Sequence, residues 1–180
     1  MKEGYKMVPF FFTFSEKEIR HYNFIYSQME IRRAKKEEMG EILDAYMDAY
    51  SEMDKYCYKN RRDAKRYMKW LFKRDVDGIF VAVENNIIAF VASDSLWHSF
   101  YEGNVGEIHE MFVRREWRNR GIGRKIMEKA EEYLASKGNK VIELWVGKEN
   151  EKARKFYAKI GYEERDVSNE WIRMVKRLRL

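Results

Sequence analysis

EIHEMFVRREWRNRGIGR, residues 107–124, changes character halfway along its length. Ile108 to Val113 is an apolar, strand-like run. Arg118-Asn119-Arg120-Gly121-Ile122-Gly123-Arg124 follows after four charged or aromatic residues. From Gly121 onward the period becomes helical, with Ile122, Ile126, Ala130 and Tyr133/Leu134 on one face. A strand therefore runs into a glycine-containing turn that opens a helix. Glycine lets a ligand approach the backbone, the first amides of a helix have no intrahelical partner, and the helix dipole favours negative charge there. Such a turn suits phosphate, and the arginines at 114, 115, 118, 120 and 124 suit a ligand carrying several phosphates.

Three nucleotide motifs compete for this turn. A Walker A loop needs Gly-Lys-Ser/Thr, whereas Gly121 is followed by Ile-Gly-Arg-Lys. A dinucleotide fingerprint needs a third glycine where Ile126 stands, and a first glycine nearer the strand end than Gly121 is to Val113. Glu143 stands near the distance of a ribose-binding acid, which leaves that alternative open at this point. The third pattern, Arg/Gln-x-x-Gly-x-Gly/Ala, is matched by Arg118, Gly121 and Gly123. Downstream, Lys140 to Val146 is a second apolar strand. Asn150-Glu-Lys-Ala153-Arg-Lys-Phe156-Tyr157-Ala-Lys-Ile-Gly161-Tyr162 begins about thirty residues after Gly121.

These two motifs, in this order and with a strand between them, resemble the pyrophosphate loop and the N-x-x-A-x-x-F/Y-Y-x-x-x-G-F/Y segment of the GNAT superfamily of acyl-CoA-dependent N-acetyltransferases. The resemblance is strongest over residues 107–163 and extends more loosely from Met29 to about Leu178. It implies an acetyltransferase that moves an acetyl group from acetyl-CoA to a primary amine by direct attack. In the superfamily the strands at 107–113 and 141–146 splay apart, and the pantetheine arm pairs with the first of them like an added strand. By resemblance Met111, Phe112 and Val113 supply that backbone. Arg118, Asn119, Arg120, Gly121, Ile122, Gly123 and Arg124 hold the pyrophosphate, and Asn150 and Tyr157 complete the cofactor site. Tyr157 aligns with the tyrosine often assigned as general acid toward the coenzyme thiol. It also shares helical spacing with Ala153, Phe156 and Ile160, so a core role stays open. For the general base, Glu107 occupies the position where some relatives place a glutamate. Glu110 is the runner-up, expected on the opposite strand face unless a bulge intervenes. Trp145 replaces the glutamate that other relatives carry on the next strand. A non-catalytic acyl-CoA-binding regulatory module is the alternative to an enzyme. The acceptor, a small molecule, peptide or protein, is expected at loops 50–62 and 93–106.

The rest of the chain bounds these readings. A chain of 180 residues suits one domain, and five Trp, twelve Tyr and eleven Phe can build a substantial core. The single Cys57 excludes an internal disulfide framework and fits a reducing compartment, and no apolar run approaches a membrane span, so a cytoplasmic protein without membrane partners is expected. Thirty acidic residues are interleaved with thirty-six basic ones in a net charge of +6, which reads as a solvated surface and not as a nucleic-acid footprint. No metal site is expected: His109-Glu110 begins an H-E-x-x-H pattern that Val113 ends.

Residues 29–180 read as a single-domain α/β (α+β) GNAT-like fold in the order β-α-α-β-β-β-α-β-α-β-β. Its central sheet is mixed, with splayed parallel strands, and is flanked by helices. The strands are expected at Met29–Ala34, Ile79–Val83 and Ile87–Ala92, hairpinned about Glu84-Asn85-Asn86, then in the 107–113 and 140–146 stretches, and last at Trp171–Val175 after a turn over Asp166–Asn169. Helical periods cover residues 36–56 and 61–74. Residues 1–28 form an aromatic N-terminal extension (Phe10, Phe11, Phe12, Phe14, Tyr22, Phe24, Tyr26). It is expected to be ordered against the domain or a second subunit, in the latter case supporting a homodimer.

Overall fold

Alternating apolar residues build the centre of the sheet. In β2 (Ile79–Val83), Ile79 and Val81 face one core while Phe80 and Ala82 face another, as a period of two requires. A computed structural model of the protein describes residues 29–178. The aromatic extension and the homodimer inferred from it lie outside the described residues.

Among the described residues seven strands stand in the order β1-β2-β3-β4-β5-β7-β6: β1 (Glu30–Arg33), β2, β3 (Ile87–Ser99), β4 (Gly103–Val113), β5 (Val141–Gly147), β6 (Glu163–Ser168) and β7 (Trp171–Arg177). Among the described residues only β4 and β5 pair in parallel, joined by helix α3 (Ile122–Ser136) as a crossover. Helices α1 (Met39–Ala49) and α2 (Arg61–Arg74) pack on one face around Leu43, Tyr46, Met68 and Phe112. On the other face, α3 and the short α4 (Glu151–Lys159) pack around Ile126, Met127, Leu144 and Tyr157. Ile122, Ile126, Ala130 and Leu134 are all buried, each large aliphatic side chain contributing about 1.5–3 kcal/mol by leaving water. The helix α2 begins where Asn60 accepts a hydrogen bond from the Asp63 amide at 2.8 Å, a cap worth about 1 kcal/mol. No helix among the described residues is long and apolar enough to cross a membrane.

The element order follows the sequence reading, with three differences. Residues 93–106 are not a loop, because β3 and β4 continue past the core as a hairpin arm closed by Ser99↔Gly103. Ser93 and Asp94 are fully buried there and bonded to Gly78 and Arg74, so polar residues support a strand that periodicity in apolar residues misses. The first helix stops at Ala49, and residues 50–60 form a loop held by tertiary contacts. The last turn lies at Asn169-Glu170, where Asn169 takes a φ of +52°, and Asp166 is inside β6.

Candidate active site

β4 and β5 pair over three rungs only: Gly106↔Ile142, Glu107↔Glu143 and Ile108↔Leu144. Beyond them β4 continues with β3 alone, and β5 continues with β7 alone. The two strands part into a V, which leaves one edge of Met111 to Val113 without a strand neighbour, ready for an extended ligand to pair with it.

From the tip of β4 the chain passes a short 3₁₀ turn (Arg115–Trp117). It takes left-handed backbone at Asn119 (φ +61°) and Gly121 (φ +77°), and then enters α3. No side chain caps this helix, so its first amides face outward beside the parted strands. Gly123 lies where α3 meets α4: a β-carbon there would stand 3.3 Å from the Phe156 ring and 3.7 Å from Val113. The arginines divide into two groups. The guanidinium of Arg118 donates to the carbonyls of Val113 and Ala49, that of Arg114 to Ile87, and Arg115 pairs with Asp48 and Glu52. These three pin the turn to the domain. Arg120 lies over the Trp117 ring and Arg124 pairs with Glu128 on the exposed rim. The amide end of α3 is therefore left open beside the parted strands, and Arg118 braces the turn from behind. Asn150 caps α4, its Oδ1 accepting from the Ala153 amide at 3.2 Å. Tyr157, on α4, is buried edge-on to Phe156 and Tyr162.

The two candidate bases share a face of the sheet. Ala92 stands opposite Glu110 and Ser93 opposite Ile108, so His109 is an extra residue in β4. This bulge turns Glu110 to the α1–α2 side, where Glu107 also points, instead of to the opposite face that uninterrupted pleating would give. Their surroundings differ. Glu107 is 4% exposed, stands opposite Glu143 in the β4–β5 ladder, and its Oε2 has no partner among the described residues. Burial, and then the neighbouring Glu143, push its carboxyl well above the usual range. Glu143 in turn accepts from Ser99 and from the buried Arg173, both at 2.8 Å. Glu110 sits just past the last β4–β5 rung. Its Oε1 accepts from the Tyr50 hydroxyl at 2.6 Å and from the Met111 amide at 3.1 Å. Burial raises it to about 7, with those two hydrogen bonds opposing the rise. Its charge is felt by Tyr46, Tyr50, Tyr67 and Tyr157, each raised above the ordinary tyrosine value mainly by burial. Tyr50 belongs to this cluster but has no signal of its own in the sequence beyond helical spacing. Among the described residues no group of three His, Cys, Asp or Glu side chains is placed to hold a metal ion. His109 instead lies 3.4 Å from Asp94.

A strand edge opened by splaying, leading to a glycine-capped helix end and bordered by titratable groups, has the shape of a site for an extended phosphate-bearing carrier. Comparison with known proteins gives that class a family. Residues 39–162 match the acetyltransferase (GNAT) family. An uncharacterized N-acetyltransferase of Methanocaldococcus jannaschii is 44% identical over 170 residues, covering 93% of this chain and 75% of the relative. A Pyrococcus horikoshii protein of known structure superposes with a TM-score of 0.76 at 37% identity, covering 84% of this chain and 99% of its own. The PaiA N-acetyltransferase of Thermoplasma acidophilum, solved in complex with coenzyme A, shares the fold at 18% identity with a TM-score of 0.69, covering 83% and 99%. The chain belongs to the GNAT acetyltransferase family and, by that membership, is an acyl-CoA-dependent acetyltransferase.

Proposed function

We propose that the chain transfers an acetyl group from acetyl-CoA to a primary amine of a small molecule, peptide or protein, with Glu110 as the base and Tyr157 as the acid. The observation that carries this is Glu110: a carboxylate at the parting of β4 and β5, held by Tyr50, with a pKa of about 7. The residues present fit acetyl-CoA. The free edge of Met111, Phe112 and Val113 meets the pantetheine amides. The outward amides from Asn119 to Arg124, with Arg120 and Arg124 at the rim, meet the pyrophosphate. When bound, acetyl-CoA supplies the thioester carbonyl that the amine attacks.

An alkylamine with an ordinary pKa near 10.4 reaches the site protonated and has to lose that proton before it can attack. A carboxylate near 7 is ionised in about half its copies at neutral pH, and its basicity is better matched to the task than that of an ordinary glutamate. Glu107 is the second choice for the base, since it is almost fully buried within the paired rungs of β4 and β5, where burial and the neighbouring Glu143 push its carboxyl above the usual range. The Tyr157 hydroxyl, kept protonated by burial, can donate to the departing thiolate. A thiol-release assay with acetyl-CoA and a panel of amines tests the proposal, with the acetylated amine identified by mass. Amine-dependent release is expected. Acetyl-CoA binding by calorimetry without any amine-dependent release would favour the regulatory, non-catalytic module.

A further inference from the structure

One helix carries the whole charge excess of the protein. The chain has 36 Lys and Arg against 30 Asp and Glu, a net charge of +6. Within it α2, RRDAKRYMKWLFKR, holds seven cations and a single acid, Asp63. Taking seven from 36 and one from 30 leaves 29 of each sign, so everything outside α2 is balanced. The cations of α2 also divide by face. Arg66 and Arg74 pair with Asp63 and Asp94. Arg62, Lys65, Lys69 and Lys73 recur every three or four residues, which stacks them along one exposed face at steps of roughly 5–6 Å. Like charges at this spacing repel and work against the helix that carries them.

That face lines a cleft of about 710 Å³ between α2 and the start of α1. Lys36, in the 3₁₀ turn before α1, adds a cation from the opposite wall, and no acid lines the cleft. Arg61 ties the two helices together, pairing with Asp44 and donating to the Gly40 carbonyl. Lys36, Arg62, Lys65, Lys69 and Lys73 have no ion pair among the described residues. Below these charges the floor is apolar, made by the half-buried Met39 and by Leu43 and Phe72, which belong to the core. Gly40 leaves the space open: a β-carbon there would meet no atom within 4 Å.

We propose that this cleft docks an acidic polypeptide segment of a partner protein, one that carries apolar side chains among its carboxylates. The carboxylates meet Arg62, Lys65, Lys69, Lys73 and Lys36 and relieve their mutual repulsion. The apolar side chains pass Gly40 and reach Met39, Leu43 and Phe72. Charge complementarity makes the partner acidic, and the apolar floor makes it a peptide. A nucleic-acid strand asks for aromatic faces among the cations, but Tyr67 and Trp70 stack on each other and Trp70 meets His109, away from the cleft lining. The site takes no residue from the α3 turn or from the glutamates of β4, so it stands whether or not the acetyl-transfer reading does.

The test is fluorescence anisotropy on the full chain with three labelled probes: a peptide with leucines at helical spacing among glutamates, the same peptide with serines for leucines, and a single-stranded oligothymidylate. The leucine–glutamate peptide should bind saturably, more tightly than the other two, and more weakly as salt rises. Lys65→Glu with Lys69→Glu puts like charges opposite the peptide on an exposed helix face and should weaken it roughly tenfold or more. Gly40→Trp fills the cleft without altering a charge and should also weaken the peptide, which keeps the test open if the charge variant does not fold. Acetyl-CoA affinity should be unchanged in both. No saturable peptide binding, equal binding of the serine peptide, or peptide affinity that survives either folded variant overturns the proposal. Tighter binding of the oligothymidylate overturns it too, and gives the face to nucleic acid.

Discussion

The two sides of the V are built in different ways. On the α3–α4 side the turn from Arg118 to Arg124 is one continuous piece of chain. Its left-handed residues, its helix start and the close approach of Gly123 to Phe156 all follow from local chemistry and one neighbouring helix. On the α1–α2 side nothing is continuous. Tyr50 meets Glu110 only because a bulge turns the carboxylate, and Tyr56 meets Gly147 and Trp171 only because a loop reaches across to β5 and β7. A phosphate asks for amides and a dipole, which a strand-turn-helix supplies alone. An amine about to lose a proton asks for a desolvated carboxylate, and burial is a property of the whole fold.

The contrast can be tested by breaking each side. The largest effect is expected on the continuous side. Gly121→Glu puts a β-carbon on left-handed backbone and a negative charge at the helix end, and should abolish acetyl-CoA binding in calorimetry while circular dichroism still shows a folded protein. Wild-type affinity in that variant would move the phosphate site elsewhere. On the assembled side, Glu110→Gln should leave acetyl-CoA affinity nearly unchanged but lower kcat/KM by ~10²–10⁴ at neutral pH. In the wild type, activity should rise with pH through about 7, because the protonated carboxyl cannot accept the amine's proton. That limb should vanish in the variant.

Tyr157→Phe keeps the ring packed with Phe156 and Tyr162, so melting temperature should hold while turnover falls, by roughly 10²-fold if the hydroxyl donates to the thiolate. Loss of folding would show the tyrosine to be a core residue. A smaller effect separates the two glutamates. Glu107→Gln alters a buried carboxyl set back within the paired rungs of β4 and β5, so activity should change only a few-fold and the acidic limb should stay near 7. A vanished limb there would exchange the roles of Glu107 and Glu110. The smallest effect is on stability. Between the ordinary carboxyl pKa of 4.5 and about 7, the folded chain binds more proton at Glu110 than the unfolded chain does. Stability contributed there is therefore fully present below 4.5 and declines as pH rises through 7. Chemical denaturation across that range should show a shallower decline in Glu110→Gln.

What the sequence determined by itself is the order of the eleven elements, the glycine turn and the two motifs. Each is a matter of neighbours along the chain: helical spacing at Ile122, Ile126 and Ala130, the period of two at Ile79 to Val83, and Asn150 heading α4. It put Glu107 first for the base with Glu110 as runner-up, and the difference between their surroundings came only from the tertiary structure. Whether an extra residue at His109 bulges depends on the rungs that β3 offers, and whether a carboxyl is raised to about 7 or pushed up beside a second carboxylate depends on what other strands bring beside it. The hairpin arm at 93–106 was hidden because it is held by Asp94, Arg74 and Ser93 and not by an apolar period. The packing of Tyr56 on Gly147 was hidden for another reason: the two are ninety-one positions apart, and a ring resting on a glycine leaves no pattern in either stretch of chain.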